Sequence, residues 1–230
     1  SGTLAKRGFS FTGWNTLANG LGTMIQPGTT VTPQGPLTYY AIWVADTFTV
    51  TFDANGGTGL MAAQLFTAGI GQALTSNANL ITRTGFTFAG WTTNANGTGT
   101  TYTNAQSITL FAGITVYAKW NANTYAVIFG SNTATGPATM PNQNFSAGTP
   151  FNLNTSLWYK DGHDFAGWSA TAGTQAILYT QNQSVTLYAN TNIYAQWTAK
   201  VFTVTYSSNG GAGSASIASQ NYTFGTSAIT

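Results

Sequence analysis

The chain has 230 residues, 43% of them hydrophobic and 14% aromatic, a composition that excludes a disordered polymer. Charged residues are only 4%, against roughly a quarter in ordinary soluble domains. Cysteine is absent, which excludes disulfide scaffolds, Fe–S clusters and thiol catalysis, and six dispersed bases with a net charge of +2 give no nucleic-acid footprint.

From the N-terminus, Gly8-Phe9-Ser10-Phe11-Thr12-Gly13-Trp14 returns as Gly85-Phe86-Thr87-Phe88-Ala89-Gly90-Trp91 and as Gly162-His163-Asp164-Phe165-Ala166-Gly167-Trp168. A second set, Trp43, Trp120 and Trp197 in Tyr-Ala-x-Trp or Tyr-Ala-Ile-Trp contexts, keeps the same 77-residue step. A fixed period of this length marks a tandem array. It divides the chain into 1–45, the C-terminal part of a split repeat; 46–122 and 123–199, complete repeats; and 200–230, the N-terminal part of another split repeat.

Each complete repeat opens on a strand of period two, with Phe48, Val50 and Phe52 on one face, echoed by Tyr125, Val127 and Phe129 and by Phe202, Val204 and Tyr206. Asn55-Gly56-Gly57 and Asn209-Gly210-Gly211 supply the positive φ of a tight hairpin turn. A second strand is expected near 61–67, 138–145 and 215–224. The segment from Leu74 to Arg83 then fits one short helix or a structured crossing loop. The signature strand follows, with Phe86, Phe88 and Gly90 on one face and Trp91 on the other. Ile108-Thr109-Leu110 and the alternating Ile114, Val116 and Ala118 close the unit. The expected fold class is β-rich α+β.

These motifs resemble the Listeria–Bacteroides repeat family, which includes the B repeats of internalin-type bacterial surface proteins. The carriers are Phe48-Thr49-Val50-Thr51-Phe52, Asn55-Gly56-Gly57, Arg83 with Gly85-Phe86-Thr87-Phe88-Ala89-Gly90-Trp91, and Tyr117-Ala118-Lys119-Trp120. Lys6, Arg83 and Lys160 each stand eight residues before their tryptophan, as the family's basic position does. The resemblance implies tandem β-grasp-like (ubiquitin-like) repeats in an extracellular, cell-surface protein. Departures are Ser131-Asn132-Thr133-Ala134 in place of Asn-Gly-Gly, and His163 in place of an aromatic.

The residues offer little to an enzyme. His163 has only Asp161 and Asp164 near it in sequence, an incomplete set for zinc or calcium, and it reads as a strand residue. No G-x-S-x-G elbow is present, and the glycine-rich segments lack the lysine of a phosphate loop. No catalytic residue, metal site or cofactor is expected. The longest apolar runs, such as Tyr39 to Ala45, are too short to cross a bilayer.

Two functions remain. In the first, a non-catalytic extracellular stalk or fibre, the tail of one chain completes the head of the next. Phe9, Phe11, Trp14, Phe202, Val204 and Tyr206 form the assembly interface. A window cut from a longer array and a closed ring are alternatives for the split ends. In the second, an adhesin module binds cell-wall or host glycans or proteins through Trp158 and Tyr159, which interrupt the pattern where the preceding repeat has Ile81-Thr82. Core packing is the plainer reading of that pair. The short joints at 45–47 and 121–123 predict a semi-rigid rod.

Overall fold

The structure, a computed structural model, describes residues 4–212 and 217–227. It divides into two units between Asn121 and Ala122. In the first unit the head contributes β1 (Phe9–Asn15), β2 (Met24–Ile25) and β3 (Tyr40–Ala45). The first complete repeat contributes β4 (Thr47–Asp53), β5 (Thr58–Gly59), β6 (Gln64–Thr67), β7 (Gly71–Ala73), β8 (Ile81–Thr82), β9 (Phe86–Thr92), β10 (Thr101–Tyr102), β11 (Ser107–Thr109) and β12 (Ile114–Ala122). The second holds β13 (Thr124–Gly130), β14 (Gln143–Ser146), β15 (Phe151–Asn152), β16 (His163–Ser169), β17 (Ser184–Val185) and β18 (Thr191–Ala199), and the tail β19 (Val201–Val204) and β20 (Gln220–Thr223). The part of the expected tail strand that falls on 215 and 216 lies outside the described residues.

Each sheet stays within its own repeat. The first complete repeat forms a five-stranded sheet in the order β10-β9-β12-β4-β6, and the second repeats its centre as β14-β13-β18-β16. First and last strands run parallel in the middle, with Thr51 opposite Thr115 and Ile128 opposite Asn192. The outer pairings are antiparallel. One face of each sheet is covered by the repeat's own loops and minor strand pairs. The covered face of the first buries Val50, Phe66, Trp91, Val116 and Ala118, and that of the second buries Val127, Leu153, Trp168, Ile193 and Ala195. Burying about 200 Å² of indole contributes roughly 5 kcal/mol to each core.

Three expectations are corrected. Among the described residues there is no helix, so the α+β class reduces to an all-strand one. Of the two forms open to Leu74–Arg83, the structure takes the crossing loop, ending in β8, because Asn77, 3% exposed, bonds both the N–H and the C=O of Ile81 through its side chain, while Ala78 and Asn79 take positive φ. That side-chain clamp replaces the backbone ladder a helix would need.

The signature strand also does not alternate to its end. The register slips between Phe11 and Gly13 and again between Phe165 and Gly167. This bulge returns the tryptophan to the side of the preceding phenylalanine. Phe165 and Trp168 meet edge to face at 5.0 Å, Phe88 and Trp91 also at 5.0 Å, and Phe11 and Trp14 at 5.3 Å. Gly90, one period after Gly13, is required by its backbone: its φ is +115°, and a Cβ there would stand 2.4 Å from the Tyr102 carbonyl oxygen.

Lastly, the Asn55-Gly56 turn does not close a hairpin between neighbours in sequence. It has φ of +47° and +80°, and the Gly57 N–H donates to the Ala54 carbonyl at 2.9 Å. The strand that follows, β5, pairs with β8, whereas β4 pairs with β6. The second repeat keeps the turn without glycine, with Asn132 at +47° and Thr133 at +66°. Asn55 Nδ2 donates to the Ala95 and Ala118 carbonyls, and Asn132 Nδ2 to that of Ala195. The turn is thus nailed to the last strand of the sheet.

Candidate assembly interface

The expected interface residues fall on two half-repeats with opposite deficits. In the head, β1 lies between β2 and β3, so the free edge of β3 is the one a parallel first strand occupies in the complete repeats. Trp14 is half-buried, while Trp91 and Trp168 are 0% exposed. Phe11 holds it edge to face at 5.3 Å and meets Trp43 at 5.5 Å. A cavity of about 370 Å³ opens beside Trp14, lined by Ile25, Val31 and Tyr39. One repeat later those positions are Tyr102, Ile108 and Val116, all packed in a core.

The tail shows the complement. Its two strands pair Phe202 with Tyr222 and Val204 with Gln220, and among the described residues no other strand joins them. Phe202 is 50% exposed, and Val204 and Tyr206 are half-buried, where Val50 and Val127 are fully covered. A hydrogen bond with Tyr206 holds the Tyr222 hydroxyl above its ordinary pKa.

Phe9 belongs elsewhere. It packs beside Gly69, under Lys6 at 4.1 Å, at the joint between the head and the repeat that follows. One residue, Asp46, is bonded to both sides of that joint. The Asp46 N–H donates to the Gly8 carbonyl at 3.0 Å, and the Asp46 carbonyl accepts from Ala68 at 2.9 Å. At the next-but-one joint Lys200 does the same, donating to Gly162 and accepting from Phe224, each at 2.8 Å. Period alone could have located these residues, since Asp46 and Lys200 occupy the same phase.

Of the candidate ligand patch, Trp158 is inside the second core, 6% exposed, with its Nε1 donating to the Pro137 carbonyl at 2.7 Å. Tyr159 is 56% exposed, with its backbone bridged to Thr135. His163 stands edge to face with Phe224 at 5.5 Å, its Nδ1 2.7 Å from the Asp161 carbonyl. Asp164 pairs with Lys200 at 3.5 Å, both exposed. Among the described residues no three His, Cys, Asp or Glu side chains gather to hold a metal, and no helix is long and apolar enough to cross a membrane.

Comparison with known proteins agrees with this architecture. A protein of Evansella cellulosilytica named as a candidate Gly-rich membrane protein is 29% identical over 223 residues, covering 91% of this chain and 24% of that protein. A second candidate membrane protein of the same organism is 29% identical over 178 residues, 76% of this chain and 24% of its own length. Internalin H of Listeria monocytogenes is 32% identical over 118 residues, 51% of this chain and 20% of its own. The chain thus spans about a quarter or less of each of these relatives. The sequence profile of the Listeria-Bacteroides repeat domain matches residues 1–42, 48–119 and 125–196. With three tandem matches over most of its length, the chain belongs to the Listeria-Bacteroides repeat domain family.

Proposed function

We propose that this chain is a non-catalytic structural segment of a bacterial surface protein, an extracellular array of β-grasp-like sheets that extends by completing split repeats. The observation that carries the reading is the contrast between Trp14 and its two fully buried counterparts. The mixed sheet, with its first and last strands parallel at the centre, supports the β-grasp-like assignment. The named relatives, two candidate membrane proteins and an internalin, support a place at the cell surface.

In the proposed assembly, β19 of one copy enters beside β3 of the next. Val204 and Tyr206 cover the Trp14 cavity as Val50 and Phe52 cover Trp91. Parallel pairing then sets Thr205 opposite Thr38, the register of Thr51 with Thr115. The contact is heterologous and does not close on itself, so it generates a fibre. A surface with few charges offers little repulsion between copies.

Negative-stain electron microscopy and light scattering of the purified chain test the proposal. Filaments that vanish on Val204→Asp support it. A monodisperse monomer at high concentration contradicts it. The adhesin alternative loses one of its two rings to the core, leaving Tyr159 without its partner.

A further inference from the structure

The first complete repeat carries a polar pocket that the assembly leaves unused. Its volume is about 310 Å³, and its wall includes Arg83, Lys119, Trp120, Asn96 and Thr92 but no carboxylate. Arg83 is half-buried, with its guanidinium 4.2 Å from the Phe86 ring centroid and close against the Asn55-Gly56 turn, where a Cβ on Gly56 would stand 3.6 Å from it. Lys119 sits exposed on β12, next to Trp120. Neither cation has an ion-pair partner among the described residues.

Arg83 and Lys119 both line this concavity and no carboxylate does, so it carries a positive potential that a bound anion relieves. Trp120 is fixed in place by its Nε1, which donates to the Ala54 carbonyl at 2.9 Å, and it is half-buried, so part of the indole remains at the wall. An aromatic surface, the amide of Asn96 and two cations are the groups that a sugar ring bearing an acidic substituent uses. A pocket at the small end of the ligand range takes a sugar unit, not a folded partner.

The other copies lack the combination. In the head, Ile42 stands at the Lys119 position beside Trp43. In the second complete repeat the position is Gln196, which is 5% exposed with Nε2 bonded to Ser169 Oγ at 2.6 Å, and Lys160 donates to Thr133 Oγ1 at 3.3 Å. Only the repeat 46–122 pairs the two cations with the tryptophan.

We propose that the pocket of Arg83, Lys119 and Trp120 binds an anionic saccharide, one carrying carboxylate, sulfate or phosphate groups. Binding draws on charge and ring contact together, so it weakens with salt and requires both cations.

Calorimetric titration of the full chain with dextran sulfate, neutral dextran and poly-glutamate tests the site. Dextran sulfate is expected to bind and neutral dextran not to. Lys119→Gln and Arg83→Gln should each weaken binding about five-fold or more, while Lys160→Gln, which removes the same charge from the other complete repeat, should change it less than about two-fold. Lys119 is exposed, so its variant remains informative even if Arg83→Gln disturbs folding. Failure of the wild-type chain to bind dextran sulfate would overturn the proposal. So would an equal loss in Lys160→Gln, which would reduce the effect to net charge, or tighter binding of poly-glutamate, which would assign the pocket to acidic peptides.

Discussion

Phe52 and Trp91 meet with ring centroids 4.9 Å apart, and Phe129 and Trp168 repeat the contact at the same distance. Each pair joins the first strand of a repeat to the signature strand across the last strand that separates them in the sheet. Phe52→Ala should therefore cost about 3–5 kcal/mol in urea unfolding and shift tryptophan emission to the red. Phe202→Ala, in the uncovered tail hairpin, should cost well under 1 kcal/mol in dilute solution, since little packing is lost there.

Gly90 and Gly97 separate two reasons for glycine. Both have positive φ, +115° and +81°, but a Cβ at Gly90 meets a carbonyl oxygen at 2.4 Å whereas nothing lies within 4 Å of one at Gly97. Gly97→Ala should cost about 1 kcal/mol, the conformational penalty alone. Gly90→Ala should cost about 3 kcal/mol or more, because backbone must move as well. Chemical denaturation of the two variants side by side checks the difference.

Asn55 holds its turn with two hydrogen bonds from one amide, to Ala95 and Ala118, and takes a φ that asparagine tolerates well. Asn55→Ala should destabilise by about 2–3 kcal/mol, because it leaves two carbonyls short of a donor and strains the backbone. Asn55→Asp keeps the φ preference but replaces the donor with an acceptor, so it should rescue little. A thermal shift series reads both.

The pair between Lys200 and Asp164 spans 3.5 Å with both side chains exposed. Solvent screening leaves such a pair worth less than about 0.5 kcal/mol, so Asp164→Asn should be close to silent in denaturation at physiological salt. A larger loss would show that the joint depends on charge instead of the Lys200 backbone bonds to Gly162 and Phe224.

Period was the part of this fold most legible in the sequence. The step between Trp14, Trp91 and Trp168 announced the tandem repeat, which the family matches at 1–42, 48–119 and 125–196 share, and alternation at Val50, Phe52, Val116 and Ala118 named the core strands. What alternation could not convey was the bulge at Gly13 and Gly167, because a single inserted residue reverses the face of everything after it. Over 74–83 a short helix and a structured crossing loop were not separable by length, and the deciding feature, Asn77 bonding Ile81 from both ends of its amide, depends on three-dimensional placement. The pocket at Arg83 and Lys119 is half visible in the sequence: the basic residue recurs at Lys6, Arg83 and Lys160, but Lys119 lies 36 residues further on and comes to line the same pocket only through the fold.

The measurement that tests split-repeat completion most directly uses the absence of cysteine. Thr38→Cys and Thr205→Cys together place one thiol on each proposed edge, at positions whose counterparts, Thr51 with Thr115, are paired in register. Adjacent strands lie about 4.8 Å apart, within the range a disulfide spans. Mild oxidation should yield a ladder of covalent dimers, trimers and longer species on a non-reducing gel, abolished by Val204→Asp. Oxidised chains that remain monomeric, or that link only within one molecule, would contradict the account.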